Sequence, residues 1–151
     1  MDKYQQHIHK AFGGKLRIRI CGILIENNKI LLIKHKGVGE KGYLWSPPGG
    51  GAAYGESTED TLKREFLEET ALHIDVGKFL FFHEYINLPL HAIELFFEVR
   101  RAKGKLSKGI EPEVATIDII EDIAFKSLEE IKKDDPAYYH ATLLNSTCPL
   151  T

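Results

Sequence analysis

The sequence predicts an α/β domain with a mixed sheet, and three observations carry that prediction. Period-two alternation of apolar and polar residues recurs along the chain and reads as half-buried strands. One segment, residues 58–70, holds thirteen positions without Gly or Pro and reads as a helix. Helices thus intervene between strands, which argues for α/β or α+β packing with strands running in both directions.

The elements follow in order. Residues 16–25 alternate Leu16, Ile18, Ile20 and Gly22 against Arg17, Arg19 and Cys21, a half-buried strand. Asn27 and Asn28 then precede the apolar run Ile30 to Ile33, which predicts a hairpin with a short Asn turn. A Gly-rich loop spans Gly37 to Gly42, and Leu44-Trp45 leads into Ser46, Pro47, Pro48, Gly49, Gly50 and Gly51. Such a run of prolines and glycines cannot be helical, because prolines remove donors and glycines favour irregular φ. Ser57, with Asp60 three residues on, caps the helix at 58–70, and Leu62 and Phe66 mark its apolar stripe. Two strands are expected at Asp75–Ile86 and His91–Arg101, joined by a turn at Asn87-Leu88-Pro89. Residues 103–113 read as loop, Ala115–Phe125 as a further strand, and Ser127–Lys133 as a short helix capped by Ser127.

The chain has 151 residues, a length suited to one domain of about 100–200 residues. Its 20 basic and 22 acidic residues leave a formal charge of −2, no electrostatic footprint for nucleic acid or an anionic membrane surface. No apolar run approaches the roughly 18 residues of a membrane span, and MDKYQQHIHKAFGG lacks the apolar core of a signal peptide. Two distant cysteines, Cys21 and Cys148, argue against a disulfide framework, so a cytoplasmic location is expected.

The informative stretch is Gly50 to Leu72. On a helix, Glu65, Glu68 and Glu69 fall within an arc of about 100°. Like charges at these spacings destabilise an isolated helix by about 0.2–0.5 kcal/mol per pair. They also lie near the negative end of the helix dipole, where anions are disfavoured. Two independent rules are broken at one place, as happens where a site requires it. A solvated acidic face, partly neutralised by Lys63 and Arg64, is the plain alternative. A hard-cation site is the sharper one, because Mg²⁺ takes oxygen ligands, few of them from protein, and substrate phosphates for the rest. Gly49, Gly50, Gly51 and Gly55 tilt the balance: they let backbone approach a ligand and deliver the chain to a helix N-terminus, which favours anions.

Gly50, Glu56 after five residues, and Arg64-Glu65-Phe66-Leu67-Glu68-Glu69-Thr70-Ala71-Leu72 after seven more match the charged positions of a known motif. The segment resembles the signature of the Nudix hydrolases, of MutT type, and the resemblance extends over residues 16–135. It implies an α/β/α sandwich and metal-dependent hydrolysis of a nucleoside diphosphate linked to another group. Carried over position by position, Glu65, Glu68 and Glu69 would ligate or position the cation, with the Gly50 carbonyl as a further ligand. Arg64 would orient Glu65 and Glu56, Gly49 to Gly51 would line the substrate, and the cation would be Mg²⁺ with Mn²⁺ as alternative. Three positions depart from the pattern: Ala71 replaces a glycine, Phe66 is larger than the usual aliphatic, and Pro47 replaces an aliphatic. At Ala71 a shifted helix end is expected, since alanine is strained at a C-cap with positive φ.

The resemblance also implies a downstream carboxylate acting as base or ligand, for which Glu111, Glu113 and Glu121 compete, Glu121 ranking first by its distance from Phe125. Tyr54, Phe82, His83, Tyr85 and His91 could stack on or bond to a base, although packing roles are commoner for aromatics in strands. His7 and His9 have a metal-binding spacing but fall in an expected tail, and Lys103 to Lys108 form a small basic loop. The division expected is a tail at 1–15, a Nudix domain at 16–135 and an extension at 136–151. A nucleotide-binding module without turnover and a partner-binding domain with an incidental acidic helix are the alternatives. The intact Glu65, Glu68 and Glu69 argue against the first, since a pure sensor needs no cation trio, and Ala71 is the only feature in its favour. A homodimer is common among such enzymes. Pro89, 17 residues after Leu72, and Tyr85, 13 after it, lie near the spacings of ADP-ribose and dinucleoside polyphosphate enzymes and select neither.

Overall fold

The computed structural model describes residues 1–109, 118–145 and 148–150. Its elements run α1 (Lys3–Phe12), β1 (Lys15–Ile23), β2 (Ile25–Glu26), β3 (Lys29–Lys36), β4 (Tyr43–Ser46), β5 (Gly49–Gly51), α2 (Thr58–Thr70), β6 (His73–Asn87), β7 (Leu90–Lys103), β8 (Ile120–Ser127) and α3 (Leu128–Lys133). Two 3₁₀ turns, Pro136–Tyr138 and Ala141–Leu143, follow.

The strands form two sheets. One has the order β5-β1-β7-β6, with β1 and β7 parallel and the other pairs antiparallel. In the other, β3 pairs with β2 and β4 along one edge and with β8 along the opposite edge. The fold is α/β with mixed strand directions, as the alternation predicts. Alternate residues of β1 and β3 feed two apolar cores. Ile20, Leu24 and Leu31 pack with Leu62, Phe66 and Leu72 at helix α2, while Cys21, Ile23, Ile30 and Leu32 pack with Trp45, Ile131, Tyr139 and Leu143 on the other side.

Local chemistry explains most boundaries. Asn27 and Asn28 both adopt positive φ (52° and 59°), which suits the tight turn between β2 and β3. The Ser57 side chain accepts the Asp60 N–H at the start of α2. At α3, Ser127 and Glu130 form a reciprocal capping box. Two expectations change. Residues 3–12, expected as tail, are the helix α1: Asp2 and Gln5 form a capping box, and Ile8 is buried beside Val38, Leu90 and Ile119. The C-terminus of α2 is not shifted, because Ala71 itself takes the left-handed conformation (φ 62°, ψ 13°) and its N–H reaches the Leu67 carbonyl. The following chain covers that end: Ser107 N–H donates to the Thr70 carbonyl and Gly109 N–H to the Glu69 carbonyl, each at 2.9 Å.

Candidate active site

Helix α2 presents its glutamates to the short glycine strand β5. Glu65 and Glu69 are fully buried, one turn apart, while Glu68 remains partly exposed. Strand β5 permits this approach only because it lacks side chains. A Cβ on Gly50 would lie 2.3 Å from Glu65 Oε1 and 2.4 Å from its Cδ. A Cβ on Gly49 would lie 2.3 Å from the Ile20 carbonyl oxygen, on the neighbouring strand. The Gly49 N–H donates to Glu69 Oε1 at 2.9 Å, and His35 Nε2 of β3 lies 3.6 Å from Glu69 Oε2.

Arg64 ties the cluster together. Its Nε and Nη2 donate to the two oxygens of Glu56 at 2.8 and 3.0 Å, a fork-on-carboxylate pairing. Its Nη1 donates to Glu65 at 2.9 Å and Glu68 at 3.3 Å, and Nη2 also reaches the Gly51 carbonyl at 3.3 Å. Thr61 Oγ1 adds a 2.7 Å bond to Glu56. The Arg64 contacts first, then Thr61, hold the Glu56 carboxyl down at about 2 instead of 4.5. The same ion pairing raises the Arg64 guanidinium further. One cation therefore offsets several carboxylates that would otherwise repel.

On its other side β5 borders a cleft lined by Arg17, Arg19, His35, Tyr85, Glu94 and His140, among others. Arg19 Nη1 donates to Glu94 at 2.6 Å and its Nη2 to the Gly49 carbonyl at 3.4 Å. Glu94, buried on β7, also meets His140 Nε2 at 2.7 Å and His83 Nδ1 at 3.2 Å. Burial alone would raise the Glu94 carboxyl, but the bonds to His140 and His83 and the Arg19 charge hold it well below the ordinary range. The Thr142 N–H donates to His140 Nδ1 at 3.1 Å, so a neutral His140 carries its proton on Nε2, facing Glu94. A continuous polar chain thus runs from His140 through Glu94, Arg19 and Gly49 to Glu69.

The structure brings together Glu56, Arg64, Glu65, Glu68, Glu69 and the glycines Gly49, Gly50 and Gly51. It does not bring Glu121 to them. Glu121 sits in β8 beside a register irregularity and pairs with Lys34, whose ammonium lies over the Tyr43 ring. Lys34 precedes His35, the β3 residue that reaches Glu69, and neither Lys34 nor Glu121 lines the cleft. Glu111 and Glu113 lie outside the described residues. Of the aromatic and histidine candidates, Tyr85 and His91 line the cleft and His83 joins Glu94, whereas Tyr54 and Phe82 project into solvent. His7 bonds the Lys3 carbonyl within α1, and Lys108 faces Asp118 at 3.5 Å. Sequence reasoning missed Arg19, Glu94 and His140. The first two read as the polar positions of alternating strands, and His140 follows the expected domain with no local pattern to mark it.

A family model described as the NUDIX domain matches residues 15–144. The chain belongs to the Nudix family, and it is an enzyme of that family, a pyrophosphohydrolase acting on phosphoanhydride bonds. Over 139 residues it is 32% identical to a protein of Methanocaldococcus jannaschii named ADP-ribose pyrophosphatase, covering 89% of this chain and 78% of that one. Similar solved structures include a NUDIX hydrolase from Nitrosomonas europaea, with TM-score 0.69 and 19% identity over 89% of this chain and 86% of that one. A MutT NUDIX hydrolase from Burkholderia pseudomallei gives TM-score 0.64 and 21% identity over 77% of this chain and 86% of the other. At those identities the two structures establish the fold. Nudix hydrolases generally use a divalent metal. Among the described residues, no helix is long and apolar enough to cross a membrane.

Proposed function

We propose that this enzyme hydrolyses the diphosphate of a nucleoside diphosphate linked to a sugar, with ADP-ribose as the leading substrate, and that it uses Mg²⁺ or Mn²⁺. The observation that carries the reading is the burial of Glu65 and Glu69 against a strand of three glycines bordering an arginine-lined cleft. The 32% identical relative named ADP-ribose pyrophosphatase supports the substrate class.

The donor set fits a hard cation. Glu65, Glu68 and Glu69 supply oxygens, the Gly50 carbonyl is a candidate for another, and a side chain at position 50 would close the space beside Glu65. When bound there, a divalent cation neutralises diphosphate oxygens and makes water a better nucleophile. The protein's own groups do the rest. Glycines at 49–51 let the diphosphate lie against backbone, and Arg64 fixes the rotamers of Glu65 and Glu56. Glu65 is the proposed base: it takes the proton of the attacking water as oxygen bonds to one phosphorus and the P–O–P bridge breaks. A nucleoside monophosphate and a sugar phosphate leave. Residues 16–135 are proposed as the catalytic domain, with Phe12 before it and His140 after it contributing to the lining of the cleft.

A cytoplasmic location is proposed because Cys21 and Cys148 are both free thiols. A homodimer is proposed across the exposed apolar face of Leu16, Ile18, Phe82 and Ile86, and sedimentation analysis would test it. The functional reading is tested by kcat/KM on a panel of ADP-ribose, dinucleoside polyphosphates, nucleotide sugars and nucleoside triphosphates with Mg²⁺. ADP-ribose is expected to rank first, and a nucleoside triphosphate ranking first would overturn the substrate assignment.

A further inference from the structure

We infer that the apolar end of the cleft, walled in part by helix α1, is the nucleobase site, where Phe12, Val38 and Leu90 take the base of a nucleotide whose phosphates lie against β5. The inference rests on the reading above that a nucleoside diphosphate occupies the cleft.

Polarity changes along one strand of the cleft floor. Leu90, Ala92 and Glu94 share a face of β7, and all three line the cleft. Glu94 stands opposite Arg19 of β1, and Arg19 stands opposite Gly51 of β5. The buried carboxylate, the arginine and the glycine strand therefore share one level of the sheet. Leu90 lies four residues back along β7, about 13 Å away at the usual strand rise. Ala92, the smallest side chain of the three, lies between them, with Arg17 opposite on β1 and Tyr85 opposite on β6. A nucleoside 5′-phosphate laid in the cleft with its phosphate at β5 carries its ribose over Ala92 and its base to Leu90.

The apolar end is assembled from segments distant in sequence. Ile8 and Phe12 come from α1, Val38 from the loop after β3, Leu90 from the start of β7 and Ile119 from the chain before β8. Ile8 and Ile119 are buried and back the wall, whereas Phe12, Val38 and Leu90 are half-buried and present its surface. Helix α1 is fixed in place there. Gly37, at φ 85°, passes so close to the helix that a Cβ would lie 2.7 Å from the Tyr4 carbonyl carbon. The Gly14 N–H donates to the Pro89 carbonyl at 2.9 Å, and the Lys36 N–H to the Ile119 carbonyl at 2.8 Å. The two ends of the cleft suit the two ends of a nucleotide. A sugar phosphate placed against the apolar wall loses hydration without regaining hydrogen bonds. A base has apolar faces that pack on aromatic and aliphatic side chains. Helix α1 lies before residue 15, where the family match begins, so part of this wall stands outside the matched domain.

The test compares AMP with ribose 5-phosphate, which is AMP without its base, by calorimetric titration in Mg²⁺, paired with steady-state kinetics on ADP-ribose. Neither ligand contains a phosphoanhydride bond, so neither is consumed. Val38→Trp, which fills the space, should weaken AMP binding about tenfold or more and ribose 5-phosphate binding by less than about twofold. KM for ADP-ribose should rise with the AMP dissociation constant, while kcat changes by less than about threefold. Leu90→Ala should act in the same direction by a smaller factor. Phe12→Ala also releases the Arg17 guanidinium stacked on its ring at 4.0 Å, so it should weaken both ligands, AMP by at least about threefold more than ribose 5-phosphate. Melting curves identify any variant that does not fold, and Val38→Asn, close to valine in size but polar, keeps the test open if Val38→Trp is one of them. Equal losses for AMP and ribose 5-phosphate, unchanged AMP affinity in the folded variants, or no AMP binding by the wild-type protein would each overturn the inference. Selective loss of AMP in an enzyme that never turns over ADP-ribose would instead sink the proposed function and leave this inference standing.

Discussion

Replacing Gly50 with alanine probes the packing of the carboxylate cluster most sharply. The backbone there is not left-handed, so alanine is conformationally allowed and the whole effect is steric. The new methyl would lie 2.3 Å from Glu65 Oε1 and 2.6 Å from Oε2, against an ordinary contact distance of 3.4 Å. Glu65 must therefore retreat by about 1 Å, the difference of those distances (3.4 − 2.3). Its side chain is fully buried and held by Arg64 at 2.9 Å, so it has no open space to take. Overpacking of this kind costs about 1–3 kcal/mol, which for a domain of this size lowers Tm by roughly 2–12 °C. A displacement of about 1 Å in a catalytic group costs on the order of 100-fold in rate. The assay is thermal melting followed by kcat and half-saturating Mg²⁺ on ADP-ribose. A folded Gly50→Ala enzyme with kcat and Mg²⁺ response within about twofold of wild type would refute the claim that Glu65 is used where the structure holds it.

Further predictions concern the neighbouring residues. Glu69→Gln should abolish Mg²⁺-stimulated hydrolysis while leaving Tm unchanged or slightly higher, because it removes one charge from a crowded trio; full turnover at saturating Mg²⁺ would exclude Glu69 from the cation site. Glu65→Gln should lower kcat far more than Glu121→Gln, whose carboxylate is engaged by Lys34, and the reverse ordering would move the base to β8. Ala71→Gly should raise stability by about 1 kcal/mol, seen as a Tm gain of roughly 2–4 °C, because the residue sits at φ 62°. The Glu56 carboxyl is depressed from 4.5 to about 2, chiefly by Arg64, so its stabilisation is complete above pH 4.5 and is lost as pH falls toward 2. Screened by its partial exposure, that contribution is on the order of 2 kcal/mol, and acid denaturation curves of Glu56→Gln should lack it.

The sequence made the core of the fold legible because its signals are local. Alternation marked β1 and β7, paired asparagines marked the β2–β3 turn, and Ser57 and Ser127 marked helix starts. Helix α1 was illegible because its stability is tertiary: Ile8 and Phe12 find partners in Val38 after β3, Leu90 of β7 and the chain around Ile119, distant in sequence. Ala71 broke the expectation of a shifted end because covering bonds from Ser107 and Gly109 hold the terminus of α2 in place. At the site, the glutamates stood out by violating helix rules, whereas Arg19 and Glu94 looked like the ordinary polar face of strands. Their significance depends on β1 and β7 being parallel neighbours, with Arg19 opposite Glu94 in register, which no local pattern encodes.

The central claim is that the buried glutamates of α2 support cleavage of a nucleoside diphosphate rather than mere binding. Mass analysis of products from ADP-ribose, with Mg²⁺ or with EDTA, tests it most directly. Equal amounts of AMP and ribose 5-phosphate that form only with the divalent cation, and do not form with Glu69→Gln, are the predicted result. Unchanged ADP-ribose under every condition, or the same products in EDTA and from Glu69→Gln, would contradict it.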